Sequence, residues 1–172
     1  VSVYSPHGAR LGTLNGNEVQ RVPQIDTFPA ALARQLEQAQ VAVGEVYDAG
    51  GYPAVQLATR VTLEDRTRGY VLTGASLAPL CRMLADIAEN RLGGVSNAVY
   101  VIDGRHRLVA HPDVSRAASL EQLGGHPLLQ SIHGETVFHQ PFAVSPEFVT
   151  PEGEARLGAL EAIPELGWAV VI

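Results

Sequence analysis

The sequence predicts an α+β protein built from two copies of one unit, each an antiparallel five-stranded sheet with a helical crossover, joined by a helix. Three observations predict it. The opening VSVYSPHGARLGTL lies over AVYVIDGRHRLVAH: each has an alternating apolar run, a Gly-containing turn, and Arg-Leu opening a second run, Arg10-Leu11 and Arg107-Leu108, 97 residues apart. Both read as β-hairpins. Further landmarks repeat in the same order: Phe28-Pro29 with His126-Pro127 and Gly69-Tyr70 with Gly167-Trp168, each 98 residues apart, and between them GEVY at Gly44 with GETVF at Gly134. A repeat of this kind fixes architecture more firmly than local propensity does. Finally, the turns between the last three strands of a copy are too short for parallel crossovers, which favours an antiparallel sheet with helices on one face. The expected boundaries are 1–76 for the first unit, 77–97 for the connecting helix and 98–172 for the second unit.

After the first hairpin, DTFPAALARQLEQAQ carries the crossover. Asp26 or Thr27 can cap it, Pro29 suits its first turn, and Phe28, Leu32 and Leu36 recur on one face. The strands VAVGEVYD, YPAVQLATRV and RGYVLTGAS follow, separated by Gly50-Gly51 and by the charged LEDRTR. In SLAPLCRMLADIAENRLGG, Ser76 is the expected N-cap, Leu77, Leu80, Leu84, Ile87 and Leu92 keep helical spacing, and Gly93-Gly94 ends the helix. The second hairpin turns at Asp103-Gly104 and closes on His111-Pro112-Asp113. Its crossover is the weaker SLEQLGGHPLLQSI, its strands are ETVFHQPFAV, ARLGALEAI and GWAVVI, and SPEFVTPEG reads as a loop. Trp168 is expected to pack the last strand into the second core.

Composition narrows the function. The 172 residues are 46% hydrophobic and carry 12 basic against 18 acidic side chains, a formal charge of −6. No basic run follows a phosphate backbone, so a nucleic-acid partner is not expected. All twelve basic residues are arginine, a usage that fits a GC-rich bacterial genome. The single cysteine, Cys81, makes no internal disulfide and reads as a buried thiol inside a helix. No apolar segment reaches the roughly 20 residues of a membrane-spanning helix. The chain begins on VSVYS and ends on WAVVI, as a piece of a longer protein would.

Few constellations carry chemistry. Asp103, His106, His111 and Asp113 cluster, with His126, His133 and His139 downstream, but alternation on a hairpin points such residues in different directions, whereas a metal needs three or four converging ligands. In the plain reading Asp103 favours the turn, His106 is solvated at its tip, and Asp113 forms an Asx-type turn or helix cap. No metal and no cofactor is expected. GxSxG, GxGxxG, P-loop and HExxH patterns are all missing, and Cys81 lies in an apolar helix where a thiol stays protonated, so the reading is non-enzymatic. A small-ligand site is the better candidate. In YPAVQLATRV, Gln56 and Arg60 share a strand face with Ala54 and Ala58; small alanines leave space and Arg60 can pair a carboxylate in bidentate fashion. Tyr47 and Tyr52, near the adjoining strand ends, add hydroxyls. The competing reading leaves this face solvated and Arg60 a surface residue.

The strand, Asp-Gly turn, strand and His-Pro-Asp of VYVIDGRHRLVAHPD, followed by LGWAVVI, resemble the Cache domains of bacterial sensor proteins. The two-unit repeat joined by a helix resembles the double-Cache form, made of two PAS-like modules. The likeness covers nearly the whole chain, more specifically in the second module than in the first, where Pro6, His7 and Gly8 stand in the turn and Leu14 stands in place of His111. The long N-terminal helix of the double form is missing, as is the Tyr, Arg, Trp and Tyr motif of its amino-acid-binding subgroup. The resemblance implies a non-catalytic sensing region in the periplasm or outside the cell. Its parent would be a membrane-anchored histidine kinase, chemoreceptor or cyclase that binds a small organic metabolite in the membrane-distal module, here the first; a homodimer is compatible with it. Two rival readings stand beside it: a structural or dimerisation module that binds nothing and transmits a partner's signal, and a cytoplasmic PAS-type domain.

Overall fold

Among the described residues, alternating apolar residues and tight turns give two five-stranded antiparallel sheets and a separate two-stranded one. The structure, a computed structural model, describes residues 1–13, 25–94, 99–130, 132, 137–150 and 153–172. The chain splits into two compact units, Val1–Gly50 with Ala54–Ser76, and Gly51–Pro53 with Leu77–Ile172.

In the first unit, β1 (Ser2–Tyr4) and β2 (Arg10–Thr13) precede α1 (Ala30–Gln35), followed by β3 (Val41–Asp48), β4 (Pro53–Leu63) and β5 (Arg66–Ser76). The sheet order is β2-β1-β5-β4-β3. Phe28, Leu32 and Leu36 are all buried, as their spacing predicts, and pack with Tyr4, Ala42, Ala58 and Leu72 into one core. Two local expectations are corrected. α1 starts after Pro29 with no side-chain cap; Asp26 instead pairs with Arg10 at 3.0 Å, and Thr27 bridges Ala9, because that segment is drawn onto the end of the first hairpin. LEDRTR is not a loop. Leu63 pairs with Arg66 and only Glu64 and Asp65 turn, both in the left-handed region at φ 52° and 58°, which matches the strand twist and lets β4 and β5 run on as one long hairpin.

The second unit contains α2 (Ala78–Arg91), β6 (Tyr100–Asp103), β7 (Leu108–Ala110), α3 (Val114–Ala118), β8 (Ala143–Val144), β9 (Glu147–Val149), β10 (Ala155–Leu157), β11 (Leu160–Ile163) and β12 (Trp168–Val171). Its main sheet runs β7-β6-β12-β11-β8, and β9 pairs with β10 in a separate two-stranded sheet. Counting each sheet's own strands in chain order, both sheets read second, first, fifth, fourth, third. Tyr100, Ile102, Leu108, Leu128, Leu129, Phe138, Leu160 and Val171 belong to its core, and Trp168 is buried on β12.

Here too the structure corrects details. Ser76 ends β5, and Leu77 is the N-cap of α2 without a side-chain bond. Gly93 and Gly94 do end that helix, with positive φ and the Gly94 amide donating to the Ala88 carbonyl. ETVFHQPFAV is a strand only at Ala143–Val144; Val137–His139 forms a 3-10 turn that buries Phe138, so a side chain fills the core where a ladder was expected. Residues 135 and 136 of that stretch, like Leu14, Gly134 and His133, lie outside the described residues. SPEFVTPEG is not only a loop, since Glu147–Val149 pairs with Ala155–Leu157 in a separate hairpin. Among the described residues of the expected crossover SLEQLGGHPLLQSI, the helical part is a 3-10 turn at Pro127–Leu129, and α3 lies just ahead of the stretch.

Candidate functional site

Four first-unit residues, Tyr47, Tyr52, Gln56 and Arg60, stand out from the sequence. The structure divides them. Gln56 is 5% exposed and lies between Ala54 and Ala58 on the core face of β4. It fits because β3 carries glycine beside it: a Cβ on Gly44 would meet Gln56 Oε1 at 2.9 Å and Leu32 Cδ1 at 3.3 Å. A carboxamide is thus held under α1 in an otherwise apolar core. Arg60 is exposed and lines an open groove of about 490 Å³ with Glu37, Gln38, Gln40, Thr59 and Thr62. Thr59 Oγ1 donates to the Gln40 carbonyl at 3.0 Å, tying the strand to the segment that follows α1. The groove offers a guanidinium, a carboxylate, hydroxyls and amides to a polar solute.

The two tyrosines do not join them. Tyr52 is 49% exposed beside the Gly50-Gly51 turn. Alternation puts Tyr47 on the face of β3 opposite Gly44 and Val46. Its hydroxyl is buried without a hydrogen-bond partner, and burial pushes the phenol above its ordinary pKa. The aromatic core beside Gln56 is tightly built: Tyr4 donates to the Ile25 carbonyl at 2.9 Å, and Phe28 stacks on Tyr70 with ring centroids 4.3 Å apart.

The second unit gathers a polar cluster around the hairpin that opens it. Asp103 is a turn residue, as read: its carboxylate accepts the amides of Arg105 and Arg107 and the Arg107 guanidinium at 2.8 and 2.7 Å. His106 is not solvated. It sits half-buried at φ 59° with its ring 6.3 Å from that of Phe138, because the turn folds back onto the core. Asp113 caps α3, accepting from the Ser115 amide at 2.9 Å; these bonds to Ser115 lower its pKa. Among the described residues no group of three His, Cys, Asp or Glu is arranged to hold a metal ion.

His111 is 2% exposed, far more buried than a strand terminator requires. Its Nδ1 accepts the Asp113 amide at 2.9 Å, and its Nε2 stands 3.3 Å from Arg116 Nη1. Arg116 holds Glu121 through Nε and Nη2 at 2.6 and 2.7 Å. Burial and then the Arg116 charge hold His111 below the ordinary histidine pKa, so the ring is neutral near pH 7. Beside it, with ring centroids 6.4 Å apart, the Tyr100 hydroxyl is buried without a partner and burial pushes its pKa up to about 12. Cys81 on α2 is fully buried, and burial raises its thiol pKa against the backbone of His111, which hydrogen-bonds to it. Sequence reasoning took His111 as architectural and missed Tyr100, Arg116 and Glu121. The available signal was the five-residue spacing of His111, Arg116 and Glu121 around a short helix.

No protein-family model and no curated relative matches this sequence. Solved structures do share its fold. The ligand-binding domain of Mlp24 with asparagine superposes with a TM-score of 0.58 at 13% identity, over 99% of this chain and 65% of that one. The ligand-binding domain of the Pseudomonas aeruginosa PAO1 amino acid chemoreceptor PctC, in complex with GABA, gives 0.55 at 15% identity over 99% and 71%. An extracellular domain assigned to a histidine kinase, mmHK1S-Z3, gives 0.56 at 15% identity over 82% and 50%. The chain spans less than two thirds of the Mlp24 domain and half of the kinase domain. Its α+β fold, mostly antiparallel sheet, is shared with these two ligand-binding domains and with that extracellular domain. Among the described residues no helix is long and apolar enough to cross a membrane.

Proposed function

We propose that this chain is the extracytoplasmic sensing region of a membrane-anchored bacterial receptor, made of two PAS-like modules of the double-Cache type, 1–76 and 98–172, joined through 77–97. The observation that carries the reading is the shared strand order of the two five-stranded sheets, which agrees with the 97- and 98-residue repeat in the sequence. The fold shared with the ligand-binding domains of Mlp24 and PctC and with the extracellular domain of a histidine kinase supports it. The activity is binding, without catalysis. Ligand entry shifts a two-state arrangement of a sheet, and the last strand passes the shift on.

The proposed ligand is a small polar metabolite taken by the first module. Gln56 is the buried polar group under α1 and Arg60 the cation at the groove. One observation favours a second reading, a module that binds nothing: Tyr4, Phe28, Leu32 and Leu36 already fill the space between sheet and α1, each at most 5% exposed. Thermal-shift screening against small organic acids, amines and amino acids separates the two. Under the sensing reading, at least one compound raises the melting temperature. Arg60→Ala then abolishes that rise and leaves the ligand-free melting temperature unchanged, because the side chain is exposed. A flat response across the panel supports the second reading.

A further inference from the structure

One titratable ring touches both contacts that seat the hairpin of β9 and β10. The two strands pair with each other in a sheet of their own, and a ribbon of that kind is marginal in water unless one face is packed. Alternation sends Glu147 and Val149 outward, where both are exposed, while Phe148 turns inward and packs half-buried against the second core. At the root the Gly158 amide donates to the Pro146 carbonyl at 3.1 Å, and a Cβ on Gly158 would stand 2.7 Å from Leu128 Cδ1. The hairpin is thus seated on the 3-10 turn at Pro127–Leu129. His126 serves both sides of that seat. Its Nδ1 accepts the Leu128 amide at 3.3 Å, capping the turn, and its ring lies against that of Phe148 with centroids 5.4 Å apart.

We infer that β9 and β10 form an acid-released flap, seated on the Pro127–Leu129 turn while His126 is neutral and lifting from Leu128 when the ring takes up a proton. A neutral His126 has its proton on Nε2 and a lone pair for the Leu128 amide. The protonated ring carries N–H on both nitrogens, so Nδ1 then meets that amide donor to donor. The cation is also kept from water where Phe148 covers it. Burial lowers the His126 pKa, whereas an uncovered ring returns to the ordinary 6.5, so acid favours the lifted state. Among the described residues, the neighbouring charges leave this balance alone. The segment from Gln122 to Gln130 carries no Asp, Glu, Lys or Arg, and Glu121 just ahead of it is held by Arg116. On the flap Glu147 points outward, and Arg156, opposite Phe148 in the register, is tied to Glu154 at 2.7 Å with its side chain 56% exposed. Lifting exposes the apolar surfaces of Leu128 and Phe148, a face the neutral form keeps covered.

Backbone hydrogen exchange of the intact chain at pH 7 and pH 5, corrected for the intrinsic pH dependence of exchange, tests this. Protection in β9 and β10 should fall several-fold at pH 5, beyond any fall in β6 and β12, which report on the main sheet. His126→Asn keeps a capping acceptor without a titrating ring, so that selective fall should disappear. Phe148→Ala should raise the titration midpoint of His126, followed by NMR of its ring, toward 6.5, because the flap no longer covers it. The inference is overturned if β9 and β10 lose protection only in step with β6 and β12, if His126→Asn retains the selective fall, or if Phe148→Ala leaves the midpoint where it was. A parent midpoint above the ordinary value, the sign of a ring whose charge Phe148 stabilises, overturns it as well. The exchange and the midpoint of the parent need no variant, so they decide the matter even where a substitution unfolds the chain.

Discussion

The carboxamide of Gln56 occupies the space that a side chain on Gly44 would fill: a Cβ there would stand 2.9 Å from Gln56 Oε1 and 3.0 Å from Gln56 Cβ. Gly44→Ala therefore overpacks the first core, at an expected cost of about 1–3 kcal/mol. Part of the strain lies against Gln56 Cβ, the root of that side chain, which cannot swing clear as a flexible tip can. Gln56→Ala alone also destabilises through the cavity it leaves. The double variant should recover part of the loss, a coupling that urea denaturation reads as a double-mutant cycle. Strictly additive losses would show that the two residues do not share this space.

Gly69 tests the sheet itself. A Cβ on it would lie 2.3 Å from the Tyr4 carbonyl oxygen, a backbone atom in the adjoining strand β1. No rotamer relieves that contact, so Gly69→Ala should separate β1 from β5 and cost about 3 kcal/mol or more. Gly12→Ala on the edge strand is the control. No described residue lies within 4 Å of the Cβ this would add, and the melting temperature should stay within a degree or two of the parent, as surface changes usually do.

Asp103 concentrates four bonds in one carboxylate. Two backbone amides and the Arg107 guanidinium converge on it, with side-chain exposures of 12% for Asp103 and 22% for Arg107. Asp103→Ala strands all of them at once and should lower stability by about 3 kcal/mol. Asp103→Asn keeps the shape and one carbonyl oxygen, so it should lose less. Equal losses in the two variants would assign the effect to side-chain volume rather than to the acceptor.

Acid and base should weaken the second unit through different groups. The folded pKa of His111 lies below its unfolded value, so at intermediate pH the unfolded chain binds more protons. Stability is intact above the ordinary histidine range near 6.5 and falls as pH drops through it toward the lower folded value. His126, also lowered by burial, adds to this loss; Asp113 and Glu121, lowered by Ser115 and Arg116, add theirs only in the carboxylate range below. His111→Asn should flatten the melting temperature between pH 7 and pH 5, and an unchanged slope would exclude His111 as a cause. For Tyr100 the sign reverses. Its folded pKa is about 12 against the ordinary 10 of a tyrosine phenol, so stability is lost as pH rises from 10 to 12, by up to about 3 kcal/mol. Tyr100→Phe should remove most of that loss.

Much of the fold was legible in the amino-acid order, and for local reasons. β3 occupies the expected VAVGEVYD, the face formed by Phe28, Leu32 and Leu36 is buried, and Gly93-Gly94 stops α2, because hydrophobic period and glycine at positive φ act within a few residues. What failed was decided by distant partners. Asp26 was read as a cap and became the ion-pair partner of Arg10, sixteen residues earlier. SPEFVTPEG holds turn formers, yet β9 finds a partner in β10; ETVFHQPFAV alternates like a strand, yet the core takes Phe138 from a 3-10 turn.

The candidate sites divide in the same way. The sequence alone determined that β4 presents Gln56 between two alanines and that an Asp-Gly turn opens the second hairpin, because side-chain alternation and turn chemistry are short-range properties. Only the tertiary structure decided that Gly44 lies beside Gln56, that Arg60 faces a groove while Tyr47 turns to the other side of the sheet, and that Arg116 reaches the buried His111 beside Tyr100. Those outcomes depend on strand register and on where a short helix is set down, and both are fixed by the packing of the whole core.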